Sequence, residues 1–143
     1  MAVKKKIISI ENNSNSTILA LRVNCDEFSF IDILQQELGV MLKIQQPRVF
    51  ELSSGISTIH ALYSAHDEQR KITIDLIANK TDKGPLIDFM DSIDFFLRIT
   101  GLSIGLEPRI QSIQNISSIL YAQKIDLQKF NNKQQKIITH IFL

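Results

Sequence analysis

At 143 residues the chain is long enough for one domain that buries roughly two thirds of its unfolded surface without disulfides. Its 44% hydrophobic and 22% charged residues exclude a disordered polymer, and a formal charge of +1 excludes a strongly basic phosphate binder. The single cysteine, Cys25, rules out an internal disulfide and fits a reducing compartment, and no apolar run reaches the ~18–20 residues of a membrane span. Lys4-Lys5-Lys6 precedes an apolar stretch too short for a secretory signal, so a cytoplasmic location without membrane association is expected.

Residues 1–16 read as a lead-in that closes on the polar run Glu11–Ser16 and has room for a short edge strand at Lys6–Ile10; 17–143 read as one domain. Thr17–Val23, β-branched and aliphatic, predicts a strand. Asp26 can cap a helix Glu27–Leu38 by accepting a backbone N–H, and Gly39 ends it; Phe28, Ile31, Leu34 and Leu38 form its expected buried line. Val40–Gln45 predicts a second strand stopped by Pro47, and Arg48–Gly55 reads as irregular. Ser57–Ser64 and Lys71–Asn79 both alternate with period two around the polar turn His66–Gln69, the pattern of a hairpin.

The next stretch predicts an amphipathic helix over 85–100. Pro85 suits a first helical position and Gly101 a stop. At about 100° per residue Leu86, Phe89, Met90, Ile93, Phe96 and Leu97 share one face, opposite Asp88, Asp91, Asp94 and Arg98. Asp94 and Arg98 stand four apart, an acid-then-base pair worth ~0.3–0.5 kcal/mol on an exposed helix. Phe95 and Ile99 fall among these charges, where large apolar side chains are either covered by another element or form a contact patch. Asp91, Asp94, Phe95, Arg98 and Ile99 are therefore the candidate interaction surface.

Gly101–Gly105 reads as a flexible joint, followed by a helix from Glu107-Pro108 to about Asn115 with Ile110 and Ile113 inward. Ser118–Ile125 fits a strand or a helical extension, and its β-branched content favours the strand. Asp126 can cap a short helix to Asn131, and Ile137–Leu143 predicts a final strand. The order implies an α+β fold: a mainly antiparallel sheet of about five to six strands with helices packed on one face.

Chemistry-bearing patterns are sparse. The five glycines are too dispersed for a dinucleotide fingerprint or a phosphate loop, and no cofactor is implied. His60, His66 and His140 lack metal-ligand spacing, although His60 and His66 can approach across the hairpin near Asp67 and Glu68. Cys25, at a strand–helix junction, reads as a small buried thiol rather than a nucleophile. Three aspartates on an exposed helix face stay ionised and serve structure or recognition. No catalytic, cofactor-binding or metal residue is assigned. Charge is uneven, however: four acids against one lysine from Asp82 to Asp94, then six bases against two acids from Leu97 onward. Such a dipolar surface solubilises, or steers a protein partner or a second copy of the chain into a homodimer. Aromatic residues are scarce at the basic end, which disfavours nucleic acid.

Ile87, Ile93, Asp94 and Phe95 fall at the Ile, Val, Asp and Tyr of the signature that the segment resembles, that of the IPExxxVDY family, small proteins typical of Bacteroidota. Asp88 and Phe89 stand where that motif has Pro and Glu. Leu76-Ile77-Ala78-Asn79-Lys80 is similar to the family's Leu-x-x-Asn-Lys run, Asp26–Gly39 to its first helix, and Ile125-Asp126-Leu127 with Asn132-Lys133 to its ending. The resemblance implies the order of elements and supplies no mechanism. The expected function is a non-catalytic protein-interaction or scaffold domain, with strand pairing at an exposed edge (the last strand or the lead-in) as one mode. A small-ligand-binding or enzymatic domain with a pocket between sheet and helices is the alternative, and an RNA-associated protein is the third.

Overall fold

The computed structural model describes residues 16–51, 55–101 and 106–142; the expected strand at Lys6–Ile10 and most of the Gly101–Gly105 joint lie outside them. In chain order the elements are β1 (Ser16–Val23), α1 (Glu27–Leu38), β2 (Lys43–Ile44), β3 (Arg48–Glu51), β4 (Ser57–His60), β5 (Leu62–Asp67), β6 (Ile72–Ala78), β7 (Lys80–Thr81), β8 (Gly84–Pro85), β9 (Phe95–Gly101), α2 (Leu106–Gln114), β10 (Ile119–Lys124) and α3 (Asn132–Phe142). Six strands form an antiparallel sheet in the order β10-β1-β9-β6-β5-β2, and β3 with β4 and β7 with β8 form two further antiparallel pairs. The α+β class and the antiparallel sheet match the sequence expectation.

The segment expected to be a helix over 85–100 is instead a loop, one 3-10 turn (Asp88–Met90) and the central strand β9. Pro85 is paired with Lys80 in β8 and starts no helix. Gly101 is a close strand contact: its φ is +129°, and a Cβ there would lie 2.3 Å from the Lys71 carbonyl oxygen. The physical reason for the misreading is double burial. Strand β9 lies between β1 and β6 and packs on both faces, so its apolar residues Phe95, Phe96, Leu97 and Ile99 do not alternate, and such a run has no period that separates strand from helix.

Across the sheet, Leu19, Leu97 and Leu76 stand in register and point to one side, as do Leu21, Phe95 and Ala78. Ala20, Phe96 and Ile77 stand in register and point to the other. Because β9 is greasy on both sides, both sides need cover. Helices α1 and α2 close the first, through Phe30, Ile31, Leu34, Leu38, Ile110 and Ile113. Helix α3 closes the second, through Ile138, Ile141 and Phe142, so the helices are divided between the faces rather than gathered on one.

Several sequence expectations hold at residue level. Asp26 accepts from the Ser29 N–H at 3.1 Å, and Gly39, at φ +67°, donates its N–H to the Gln35 carbonyl. Phe28, expected in the buried line, is 74% exposed, while Phe30 takes the core position. At 100° per residue Phe30 lies about 40° from Leu34 around the helix and Phe28 about 120°. Ile119–Lys124 is the strand expected there, and Arg48–Glu51, read as irregular, is also a strand. Of Ile137–Leu143, expected as a strand, the described residues 137–142 belong to helix α3. Its N-terminus carries a reciprocal cap: the Gln134 N–H donates to Asn131 Oδ1 at 2.9 Å, and the Asn131 N–H to Gln134 Oε1 at 3.1 Å.

Candidate functional site

Three polar fasteners shape the second face. The first is Asn79, fully buried between β6 and β7. Its Nδ2 donates to the carbonyls of Met90 (3.0 Å) and Ile93 (2.8 Å), and its Oδ1 accepts from the Ile87 N–H (3.1 Å). Its own backbone binds Asp94 and Leu86. One side chain thus satisfies the amide groups that a loop without regular structure would leave orphaned in the core.

The second fastener is the row Arg98–Asp75–Ser64 across β9, β6 and β5. Arg98 binds Asp75 Oδ2 at 2.9 Å, Ser64 donates to Asp75 Oδ1 at 2.5 Å, and Arg98 also donates to the carbonyl of Phe142. Arg48 on β3 donates to the next carbonyl back, Ile141, at 3.3 Å. Two guanidinium groups therefore sit at the negative end of the α3 dipole and fix that helix on the sheet. The third is His60 on β4, fully buried, whose ring nitrogens meet Thr58 Oγ1 and the Ala78 carbonyl at 2.7 Å each. Burial holds its pKa below the usual imidazole value, partly offset by the Ala78 hydrogen bond. Its ring packs edge-on against Phe50, over which Arg48 lies at 4.6 Å.

These fasteners leave a cleft of about 570 Å³ between β3 (Val49, Phe50, Glu51), the chain around β8 (Lys83–Leu86 and Asp88) and α3 (Lys136, Ile137, His140, Ile141). Leu86 and Ile141 are buried in its floor, while Lys136 and His140 are exposed on the helical wall. On the outer face of the β3–β4 ribbon, Val49 and Ile59 stand directly opposite each other and are 66% and 64% exposed. A second hollow, about 760 Å³, is an open shelf along β5 beyond the end of β2, bordered by Met41, His66 and Arg70.

The five residues expected to share one contact surface are dispersed. Asp91 is exposed in a turn. Asp94 accepts from the Val23 N–H at 2.8 Å and pairs with Lys80 at 2.9 Å, not with Arg98. Phe95 is buried and stacked on Phe30 at 4.9 Å, and Ile99 is buried on the same side. Arg98 points to the opposite side. The strand alternation that replaces the helix separates Phe95 and Ile99 from Arg98 and removes that surface.

Cys25 is half-buried beside the first core, and Tyr63, on that side too, is bonded to Glu27, with burial first and that carboxylate second raising its pKa to about 12. His66 faces Thr73 and Glu68 rather than His60. Among the described residues no three His, Cys, Asp or Glu side chains are gathered to hold a metal ion, and no helix is long and apolar enough to cross a membrane. Comparison with known proteins finds no matching family model and no similar curated protein.

Sequence reasoning missed every wall of the cleft. Only four alternating residues mark β3, too few to stand out beside an irregular loop. For α3 the signal was present, in Asn131 followed three residues later by Gln134, ahead of Ile138, Ile141 and Phe142 at helical spacing.

Proposed function

We propose that this chain is a non-catalytic protein-interaction domain of the cytosol that receives an extended segment of a partner protein in the cleft between β3 and α3. The observation that carries the reading is the combination of an apolar floor, a charged rim and a strand edge in one cleft. Its volume lies in the range of ligand sites, roughly 300–1,000 Å³. The buried titratable group nearest to it, His60, is already committed to two structural hydrogen bonds, which favours recognition over proton transfer. The candidate surface thereby moves from the dispersed residues of Asp91–Ile99 to the cleft between β3 and α3.

The likeness to the IPExxxVDY family, on this reading, is a likeness of fold-forming residues. Ile87, Ile93 and Asp94 are all bonded to Asn79, and Phe95 fills the first core. The motif then builds the loop that floors the cleft and does not itself meet a partner.

Site-specific photocrosslinkers test the proposal. Carried at Val49 or Lys136 in the native host, they are expected to give adducts with another protein, and one at Leu120 on β10 is not. Adducts confined to Leu120, or none from either cleft position, would reject the cleft as the docking site.

A further inference from the structure

We infer that the partner segment enters the cleft as a β-strand added to the open edge of β3, with its side chains selected by α3 on one side and by Val49 and Glu51 on the other; this rests on the docking role proposed above. Consecutive residues of a strand point to opposite faces. Phe50 turns inward to the second core, while Val49 and Glu51 are exposed on the outer face. All three nevertheless border the cleft. What three successive residues present together is their backbone, so the cleft runs along the edge of β3. Among the described residues β3 is hydrogen-bonded to β4 alone. Its other edge offers alternate N–H and C=O groups to an incoming chain.

The edge strand β10 is a poorer acceptor. Arg22 pairs with Tyr121 and Val23 with Ile119, which leaves Leu120 as a bulge, and Lys124 ends the strand bound to Glu107. Bulges and lysines are common protections against strand addition. Strand β3 carries no such bulge in its pairing with β4.

The walls state the partner's chemistry. One side-chain set of the added strand points, as Phe50 does, toward α3, where Ile137, Ile141 and Leu86 are apolar and Lys136 supplies a cation. The other set lies beside Val49 and Glu51. The segment that fits has aliphatic residues and one carboxylate inward, and Val or Thr with one base outward.

The test uses a library of blocked heptapeptides built to that pattern, measured by fluorescence anisotropy and amide exchange. A binder is expected to slow exchange at alternate amides of Arg48–Glu51. Methylating one alternating set of its backbone nitrogens should weaken binding about tenfold or more, and methylating the other set should not, because only one set faces β3. Lys136→Glu should weaken the same peptide about tenfold, restored when its Glu is changed to Lys. Binding that ignores both methylation patterns, yet is lost in Ile137→Glu, overturns strand addition and leaves the cleft as the docking site. Failure of the whole library to bind, together with silent crosslinkers at Val49 and Lys136, overturns both.

Discussion

On one side of the sheet, side chains from five strands meet two helices in a continuous apolar core, with Arg109 and Arg70 at the Leu38 carbonyl and Tyr63 on Glu27 at its margin; on the other, one helix and a loop are fastened by Asn79, Arg98 and Arg48. Both sides share the long strands β1, β6 and β9; the first adds the stack of Phe30 on Phe95, the second the edge-on pair of Phe96 and Phe142. The second is covered partly by irregular chain, whose backbone amides need partners, and it supplies them from side chains. A cover made that way follows the sheet less closely, and the gap it leaves beside β3 is the cleft. Both sides bury an apolar core; what distinguishes the second is that a buried side chain, Asn79, must satisfy a loop's backbone.

The contrast can be broken at several points, in decreasing order of effect. Phe30→Ala removes a fully buried ring from the first side and is expected to cost ~3–5 kcal/mol in urea unfolding. Asn79→Ala leaves the Ile87 N–H and the Ile93 carbonyl short of partners, while the Met90 carbonyl keeps the Ile93 N–H, and an expected loss of ~3 kcal/mol should come with faster amide exchange at Ile87. Should Asn79→Ala prove neutral, the second side is closed by packing after all, and the contrast fails. Gly101→Ala drives a methyl group against the Lys71 carbonyl, with an expected loss of ~2 kcal/mol, whereas a glycine merely ending a helix would tolerate alanine at about half that cost or less.

His60 sharpens the comparison through pH. Its folded pKa is depressed below 6.5, so between that lowered value and 6.5 the unfolded chain binds more protons. Stability from this group is full above about pH 6.5 and falls as pH drops through the window. Urea midpoints should therefore decline on acidification from neutrality, and His60→Gln should flatten that slope. Asp26 and Asp67, whose folded pKa values lie below 3.8, act only at lower pH. The smallest change in stability, within about 0.5 kcal/mol, is expected for Lys136→Glu on the cleft rim, where the side chain is exposed.

How much was legible in the sequence follows the same division. Helix α1 was readable because its ends carry local signals, Asp26 and Gly39, and strand β6 because the alternation of Ile72, Ile74 and Leu76 is plain; the strand expected at Ser57–Ser64 is instead split between β4 and β5, which runs on through His66 and Asp67 of the expected turn. Strand β9 was not readable, because Phe95, Phe96, Leu97 and Ile99 serve two cores at once and the three aspartates before them imitate a polar helical face. In α3 the adjacent Ile137-Ile138 and Ile141-Phe142 imitate a strand, although the cap at Asn131 argued otherwise. The cleft was illegible for a different reason. It is assembled from three separate segments, brought together by a shared apolar core and by the bonds of Arg48 and Arg98 to the end of α3, none of which leaves a local pattern.

Native-state hydrogen exchange of the free protein tests the central claim most directly. The amides of Phe95–Gly101 and of Ile87 should be among the slowest in the chain, and alternate amides of Arg48–Glu51 should exchange fast, as an unoccupied strand edge requires. Slow exchange at every amide of β3, or fast exchange at Ile87 and through β9, would contradict an open edge beside a loop held by Asn79.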